Sequence, residues 1–159
     1  MKLSKTILSS PIHFIAFGFG SGLSPIAPGT VGTLAAIPLY LVLAQLSLPV
    51  YLMLLLVAAI SGIWVCGASS QALGVHDHGG IVWDEFVGFW ITMMAAPTGW
   101  YWIAIGFVLF RVFDICKPWP IAWADQQVHG GMGIMLDDIL AGLYALLLMQ
   151  LLAYWVASG

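Results

Sequence analysis

Long apolar runs dominate the chain, broken by a few polar or glycine- and proline-containing stretches, and five of the runs approach the length of a membrane span. They cover residues 31–48, 50–67, 81–97, 100–115 and 139–156. At about 1.5 Å rise per residue they are to be compared with a hydrocarbon core about 30 Å thick. Pro38 lies inside the first run and predicts a kink there, because proline removes a helical N–H. The fourth is short unless Asp114 and Cys116 sit at the membrane boundary. Continuous runs lack the alternation of a spanning β-barrel, so the pattern predicts an all-α integral membrane helical bundle of about five spanning or partly spanning helices. No internal repeat or low-complexity linker divides residues 1–159, which read as one domain.

Composition sharpens this picture. The 159 residues are 62% hydrophobic and 7% charged, with mean hydropathy +1.02, whereas a soluble domain carries roughly 25% charged residues. Four Lys and Arg residues cannot form a basic tract, which argues against nucleic acid as a partner. Cys66 and Cys116 show no metal or redox spacing and read as buried packing residues. The N-terminal apolar stretch breaks at Ser9-Ser10-Pro11, so no cleaved signal peptide is expected.

The scarce cations also orient the chain. With Lys2 and Lys5 in the cytoplasm, the second and fourth connections and Lys117 fall on the same side. Residues 11–29, 72–80 and 117–138 then share one face, while the breaks near Leu48-Pro49 and Pro97-Thr98-Gly99 are too short to build a site. Trp100, Tyr101 and Trp102 at one interface, and Trp119 and Trp123 at the other, resemble aromatic belts.

All seven carboxylates lie between Asp77 and Asp138. An acid at the centre of a spanning helix is disfavoured by about 2.5–3.5 kcal/mol on insertion scales, so such a concentration points to a site. Asp84 and Glu85 open the third run, with Gly88 one turn beyond Asp84 on the same helical face and Glu85 turned about 100° away. Asp137-Asp138 opens the fifth run after the glycine-rich stretch His129-Gly130-Gly131-Met132-Gly133, and Ala141-Gly142 gives it a small-residue face. Two such pairs at one boundary could share a divalent cation, and carboxylates without cysteine partners favour Mg²⁺ over Zn²⁺. The alternative is that Asp84 and Glu85 only favour a helix start through its dipole.

Magnesium that keeps waters takes phosphate oxygens readily, so the implied substrate is a phosphate. Arg111, Asp114 and Lys117 recur at i+3, as an ion-pair ladder or as phosphoryl-binding groups. The stretch from Gly18 to Thr30 lacks a P-loop ending, yet its backbone N–H groups and the Ser21 or Thr30 hydroxyl could meet a phosphate, with a plain turn as the alternative. His13 reads as packing and Asp125 as a solvated loop residue. His76, His78 and His129 are open to acid/base work or to loop hydrogen bonding. A Cys nucleophile with Arg six positions on fails at both cysteines, and an Asp-x-Asp nucleophile is missing, which leaves a metal-assisted water.

These motifs together resemble the phosphatidylglycerophosphatase A family, bacterial inner-membrane lipid phosphatases. The resemblance runs from Gly18-Phe19-Gly20-Ser21-Gly22-Leu23-Ser24-Pro25 and Ala27-Pro28-Gly29-Thr30 through His76-Asp77-His78-Gly79 and Ile81-Val82-Trp83-Asp84-Glu85-Phe86. It continues in Phe110-Arg111, Asp114 and Lys117-Pro118-Trp119-Pro120-Ile121, and ends in the stretch from His129 to Asp138. It implies Mg²⁺-dependent removal of the terminal phosphate from phosphatidylglycerophosphate at a cytoplasm-facing site in the inner membrane, with the phospholipid and the bilayer as partners. On this expectation Asp84, Glu85, Asp137 and Asp138 hold Mg²⁺ with Asp114 as a fifth candidate, and Arg111 and Lys117 bind the phosphoryl group. His129 or His76 would protonate the leaving group. A small cation or proton transporter is the rival reading, but acids gathered at one boundary and the lack of repeated halves count against it.

Overall fold

The computed structural model describes residues 2–75 and 78–158, and the described residues are mostly helical, with no strand among them. In chain order they form α1 (Lys2–Ser9), α2 (Pro11–Ala16), a 3-10 segment (Gly18–Leu23), α3 (Pro28–Leu43), α4 (Leu48–Leu73), α5 (Trp83–Thr92), α6 (Trp100–Cys116), α7 (Ile121–Gln127) and α8 (Gly130–Ser158). The five apolar runs correspond to α3, α4, α5, α6 and α8. The chain folds as the expected all-α, membrane-associated bundle.

Two of these helices, α4 with 26 residues and α8 with 29, are long and apolar enough to cross a membrane. The third run differs most from a span, because α5 has only ten residues and rises about 15 Å. It is instead the centre of the bundle, touched by α3, α4, α6 and α8, with every residue from Phe86 to Thr92 buried. The outer helices turn apolar side chains outward: Leu56 and Trp64 on α4, Val108 on α6, and Leu147 and Leu151 on α8 are all exposed. An apolar exterior of that extent needs a lipid environment rather than water.

The fifth run also begins earlier than its hydropathy suggests. The glycine-rich stretch before Asp137 is not a loop; Gly130–Gly133 are the first turn of α8. Gly131 is there for close packing, since a Cβ on it would collide with the Ile63 carbonyl of α4. Asp137 and Asp138 therefore sit about two turns inside α8.

The crossing of α5 and α8 rests on two glycines. A Cβ on Gly142 would come 2.5 Å from the Gly88 carbonyl oxygen, and one on Gly88 would come 2.8 Å from the Asp138 carbonyl oxygen. Asp84 precedes Gly88 by four residues, and Asp138 precedes Gly142 by four. Both helices start at the same end of the bundle, so the crossing brings the two acids together one turn from the contact.

The N-terminal segment covers that same end. Val82 N–H donates to the Ala16 carbonyl at 2.8 Å, and His13 Nδ1 and Ser69 Oγ share a buried hydrogen bond of 2.8 Å that ties α2 to α4. The short connections after α3 and α5 meet at the opposite end, where Ala44, Leu46, Met93 and Ala95 surround a cavity of about 170 Å³. Three sequence expectations change. Cys66 is buried but Cys116 is exposed. Trp102 is buried rather than part of a belt, while Trp100, Trp119 and Trp123 are exposed. The 117–138 connection contains α7 and the start of α8.

If the glycine contact sets the bundle, Gly142→Val should lower the unfolding free energy in detergent by about 1–3 kcal/mol, the usual penalty of overpacking. Leu147→Ala, on the outward face of the same helix, should stay within about 0.5 kcal/mol. Thermal or denaturant unfolding followed by circular dichroism compares the two.

Candidate active site

Local packing fixes the start of α5. Trp83 Nε1 donates to the Ala58 carbonyl at 3.1 Å, and the Trp83 ring stacks on Phe86 with centroids 5.5 Å apart. Asp84 and Glu85 follow in the first turn, and no side chain caps the helix. Glu85 turns towards α3 and α6. A Cβ on Gly29, in the first turn of α3, would collide with Glu85 Oε1 and lie 3.1 Å from Arg111 Nη1.

Five carboxylates converge. One oxygen each from Asp84, Glu85 and Asp138 lie within 4.8 Å of one another, and the same holds for Asp114, Asp137 and Asp138. Asp138 is common to both sets. Two like charges 4.8 Å apart repel by about 3.5 kcal/mol at an effective dielectric constant of about 20. Asp84 Oδ1, Glu85 Oε2, Asp137 Oδ1 and Asp138 Oδ2 are buried without a hydrogen-bond partner among the described residues. Buried carboxylate oxygens need a partner, and an all-oxygen donor set fits a hard divalent cation that retains waters.

Two cations offset part of this charge. Arg111 Nη1 pairs with Asp114 Oδ2 and lies 3.9 Å from Glu85 Oε1, so one guanidinium touches an outer member of each carboxylate set. Its Nε has no partner among the described residues. Lys117 caps α6 in a left-handed conformation, φ 44°, and its Nζ lies 2.7 Å from both Asp125 Oδ1 and Asp137 Oδ2. Partial burial works against the Lys117 charge, but hydrogen bonds to Asp125 and Asp137 outweigh it and hold the ammonium above its ordinary range. The stripe of Arg111, Asp114 and Lys117 thus divides: the first two pair with each other, and Lys117 reaches away to α7 and α8.

The other expected site residues are placed differently. Ser21 Oγ donates to the Gly18 carbonyl at 2.8 Å within its own turn. Thr30 is half-buried in the first turn of α3, beside Gly29. His76, with Asp77, lies outside the described residues. His129 is exposed, with Nδ1 3.1 Å from the Gln127 carbonyl, and precedes Asp137 by about 12 Å of helical rise. His78 Nδ1 accepts the Gly80 N–H at 3.0 Å, which leaves the proton of the neutral ring on Nε2. The same imidazole, with Phe17, Ser24 and Pro28, lines a cavity of about 250 Å³.

Sequence reasoning missed two contributors. Asp125 is not a free loop residue but an ion-pair partner of Lys117 on α7. Gly29 was read within a loop, although Pro28 just before it is a recognisable helix-start signal; its role is to let α3 approach Glu85 and Arg111.

The bundle and its acid-rich end define the class: an all-α, membrane-associated enzyme with its polar centre gathered at one end of an apolar shell. The chain belongs to the phosphatidylglycerophosphatase A family, whose pattern it matches over residues 14–153. A phosphatidylglycerophosphatase A of Escherichia coli is 54% identical over 140 residues, covering 87% of this chain and 81% of its own. The Haemophilus influenzae protein of the same name is 45% identical over 156 residues, 97% of this chain and 96% of its own. A Bacteroides thetaiotaomicron relative, 42% identical over 151 residues with 89% of this chain and 92% of its own covered, is provisionally named a phosphatidylinositol-3-phosphatase. No solved structure matches the chain significantly.

The ion pairs of Lys117 give a testable pH dependence. A folded-state pKa raised above the unfolded value contributes stability that is complete below the unfolded pKa and fades as pH rises through the folded one. The difference in melting temperature between wild type and Lys117→Met should therefore be constant near neutrality and narrow only above the unfolded lysine value of 10.5. Melting curves from pH 7 to 11 measure it.

Proposed function

We propose that this chain hydrolyses the terminal phosphate monoester of phosphatidylglycerophosphate, giving phosphatidylglycerol and inorganic phosphate, in a magnesium-dependent reaction at the cytoplasmic face of the bacterial inner membrane. The observation that carries the reading is the convergence of Asp84, Glu85, Asp114, Asp137 and Asp138 on one buried centre beside Arg111. The names of the relatives supply the substrate class, a phosphate on a phospholipid headgroup. Lys117 at the acid-rich end and Lys2 and Lys5 on α1, which packs through α2 against that end, support a cytoplasmic orientation.

The five carboxylates would hold the metal. When bound, magnesium supplies Lewis acidity towards the phosphoryl oxygens and lowers the pKa of a water for attack on phosphorus. Arg111 offers guanidinium N–H groups to the phosphoryl oxygens where negative charge develops, with Asp114 holding its plane in place. Lys117 is a positioning residue: its Nζ is engaged by Asp125 and Asp137, so it orients the second of these rather than reaching for phosphate. Glycine at position 29 keeps the α3 N-terminus close to Glu85, where the dipole favours negative charge.

Hydrolysis makes a bond from the water oxygen to phosphorus and breaks the bond from phosphorus to the glycerol oxygen, which must take a proton. His78 would supply this proton. Its proton sits on Nε2, and its cavity is bounded by Pro28, the residue before Gly29.

Phosphate release from phosphatidylglycerophosphate in detergent should require Mg²⁺ and stop in EDTA; undiminished release in EDTA would remove the metal from this reading. Arg111→Lys should lower kcat about 100-fold or more, the scale of a lost preorganised donor, with folding checked by circular dichroism. Asp84→Asn should do the same.

The proton-donor assignment has its own test. His78→Gln should lower kcat on phosphatidylglycerophosphate about 100-fold, because its alkoxide leaving group needs the proton. The loss should be clearly larger than for His129→Gln, and equal effects would reject the assignment.

A further inference from the structure

The two carboxylate sets are not independent. Asp84 and Glu85 come from the first turn of α5, Asp114 from the last turns of α6, and Asp137 and Asp138 from adjacent positions on α8. Adjacent helical residues point about 100° apart. Asp137 is drawn towards Lys117, which leaves Asp138 in the seam between α5 and α6. Asp138 is 3% exposed, and its Oδ2 has no hydrogen-bond partner among the described residues.

We propose that Asp138 is the shared ligand of two divalent-cation positions, one completed by Asp84 and Glu85 and the other by Asp114 and Asp137. The proposal rests on the magnesium-dependent reading above and adds to it the number of ions and the residue that joins them. A carboxylate has two oxygens, so a single side chain can serve one ion with each.

The arrangement around Asp138 supports this division. Each set supplies three carboxylate oxygens within 4.8 Å of one another. Opposite ligands of a magnesium ion are about 4.2 Å apart, from metal–oxygen distances of about 2.1 Å, so each set is the right size for one ion. Arg111 reaches an outer acid of each set, Glu85 in one and Asp114 in the other. The guanidinium therefore lies against both positions, as a residue meeting a phosphoryl group between two ions would.

The consequence is a hierarchy among the acids. Removing an outer ligand disables one position, whereas removing Asp138 disables both. Conservative amide replacements keep the side-chain volume and separate this hierarchy from general damage to the bundle.

Manganese, which suits carboxylate and water ligands as magnesium does, provides a readout besides activity. The purified protein in detergent is titrated with Mn²⁺, with bound ions counted and their electron paramagnetic resonance spectrum recorded. Wild type should bind two Mn²⁺ per chain and give the spin-coupled spectrum of ions about 3.5–4 Å apart. Glu85→Gln and Asp114→Asn should each retain one ion with an uncoupled spectrum, and Asp138→Asn should lose coupling and weaken both ions at least 10-fold.

One Mn²⁺ per wild-type chain at saturation, or two without coupling, would overturn the shared ligand while leaving a metal-dependent phosphatase intact. No Mn²⁺ binding together with phosphate release in EDTA would overturn the underlying reading as well. The wild-type count and spectrum decide the proposal even if a variant does not fold.

Discussion

Contact between the backbones of α5 and α8 at Gly88 and Gly142 controls the distance between the two acidic segments of the chain. Larger side chains at either position would push the helices apart by ångströms, and carboxylates one turn away would separate with them. Because Asp84 and Asp138 each precede their glycine by four residues, the crossing and the acid centre are one geometric unit. A second glycine contact of α8, Gly131 against α4, holds the same helix about three turns earlier. Small residues thus set the geometry, and the acids inherit it.

That unit is held inside an apolar shell, where uncompensated charge is expensive. The fold compensates the periphery and leaves the centre open. Arg111 answers Asp114 and approaches Glu85, while Lys117 answers Asp125 and Asp137. Asp84 and Asp138 receive no cation from the described residues, and an oxygen on each is left unpartnered. Such a distribution is unfavourable for folding alone. The proposed divalent cations would offset it.

The short central helix follows from the same arrangement. A helix that carries acids at its start and is surrounded by four neighbours has no need to reach both membrane faces, and α5 ends after ten residues. Its apolar residues are consumed by packing, with Phe89 against Tyr40 and Trp90 donating to the Ala36 carbonyl. The outward hydrophobic surface belongs to α4, α8 and parts of α3 and α6. In the proposed reaction a lipid substrate would keep its acyl chains beside the bundle while its headgroup meets the acid-rich end.

Much of this was legible without coordinates. Hydropathy alone marked the five bundle helices, because burial in lipid or in a bundle demands apolar residues over a helical length. The acid pairs, their shared end and the small residues Gly88 and Gly142 were readable as well, through charge scarcity and the i+4 rule. Other features depended on long-range contacts. Nothing local separates the buried ten-residue α5 from a span, since both are apolar, and only its four neighbours reveal the difference. The glycines before Asp137 read as a loop until α4 is seen to require their missing side chains. Asp125 found its partner because the left-handed turn at Lys117 sends the ammonium towards α7 and α8. The sequence by itself determined which residues carry charge and where the five long apolar segments lie; the tertiary structure alone decided which carboxylates share space, because that depends on how closely two distant helices can approach.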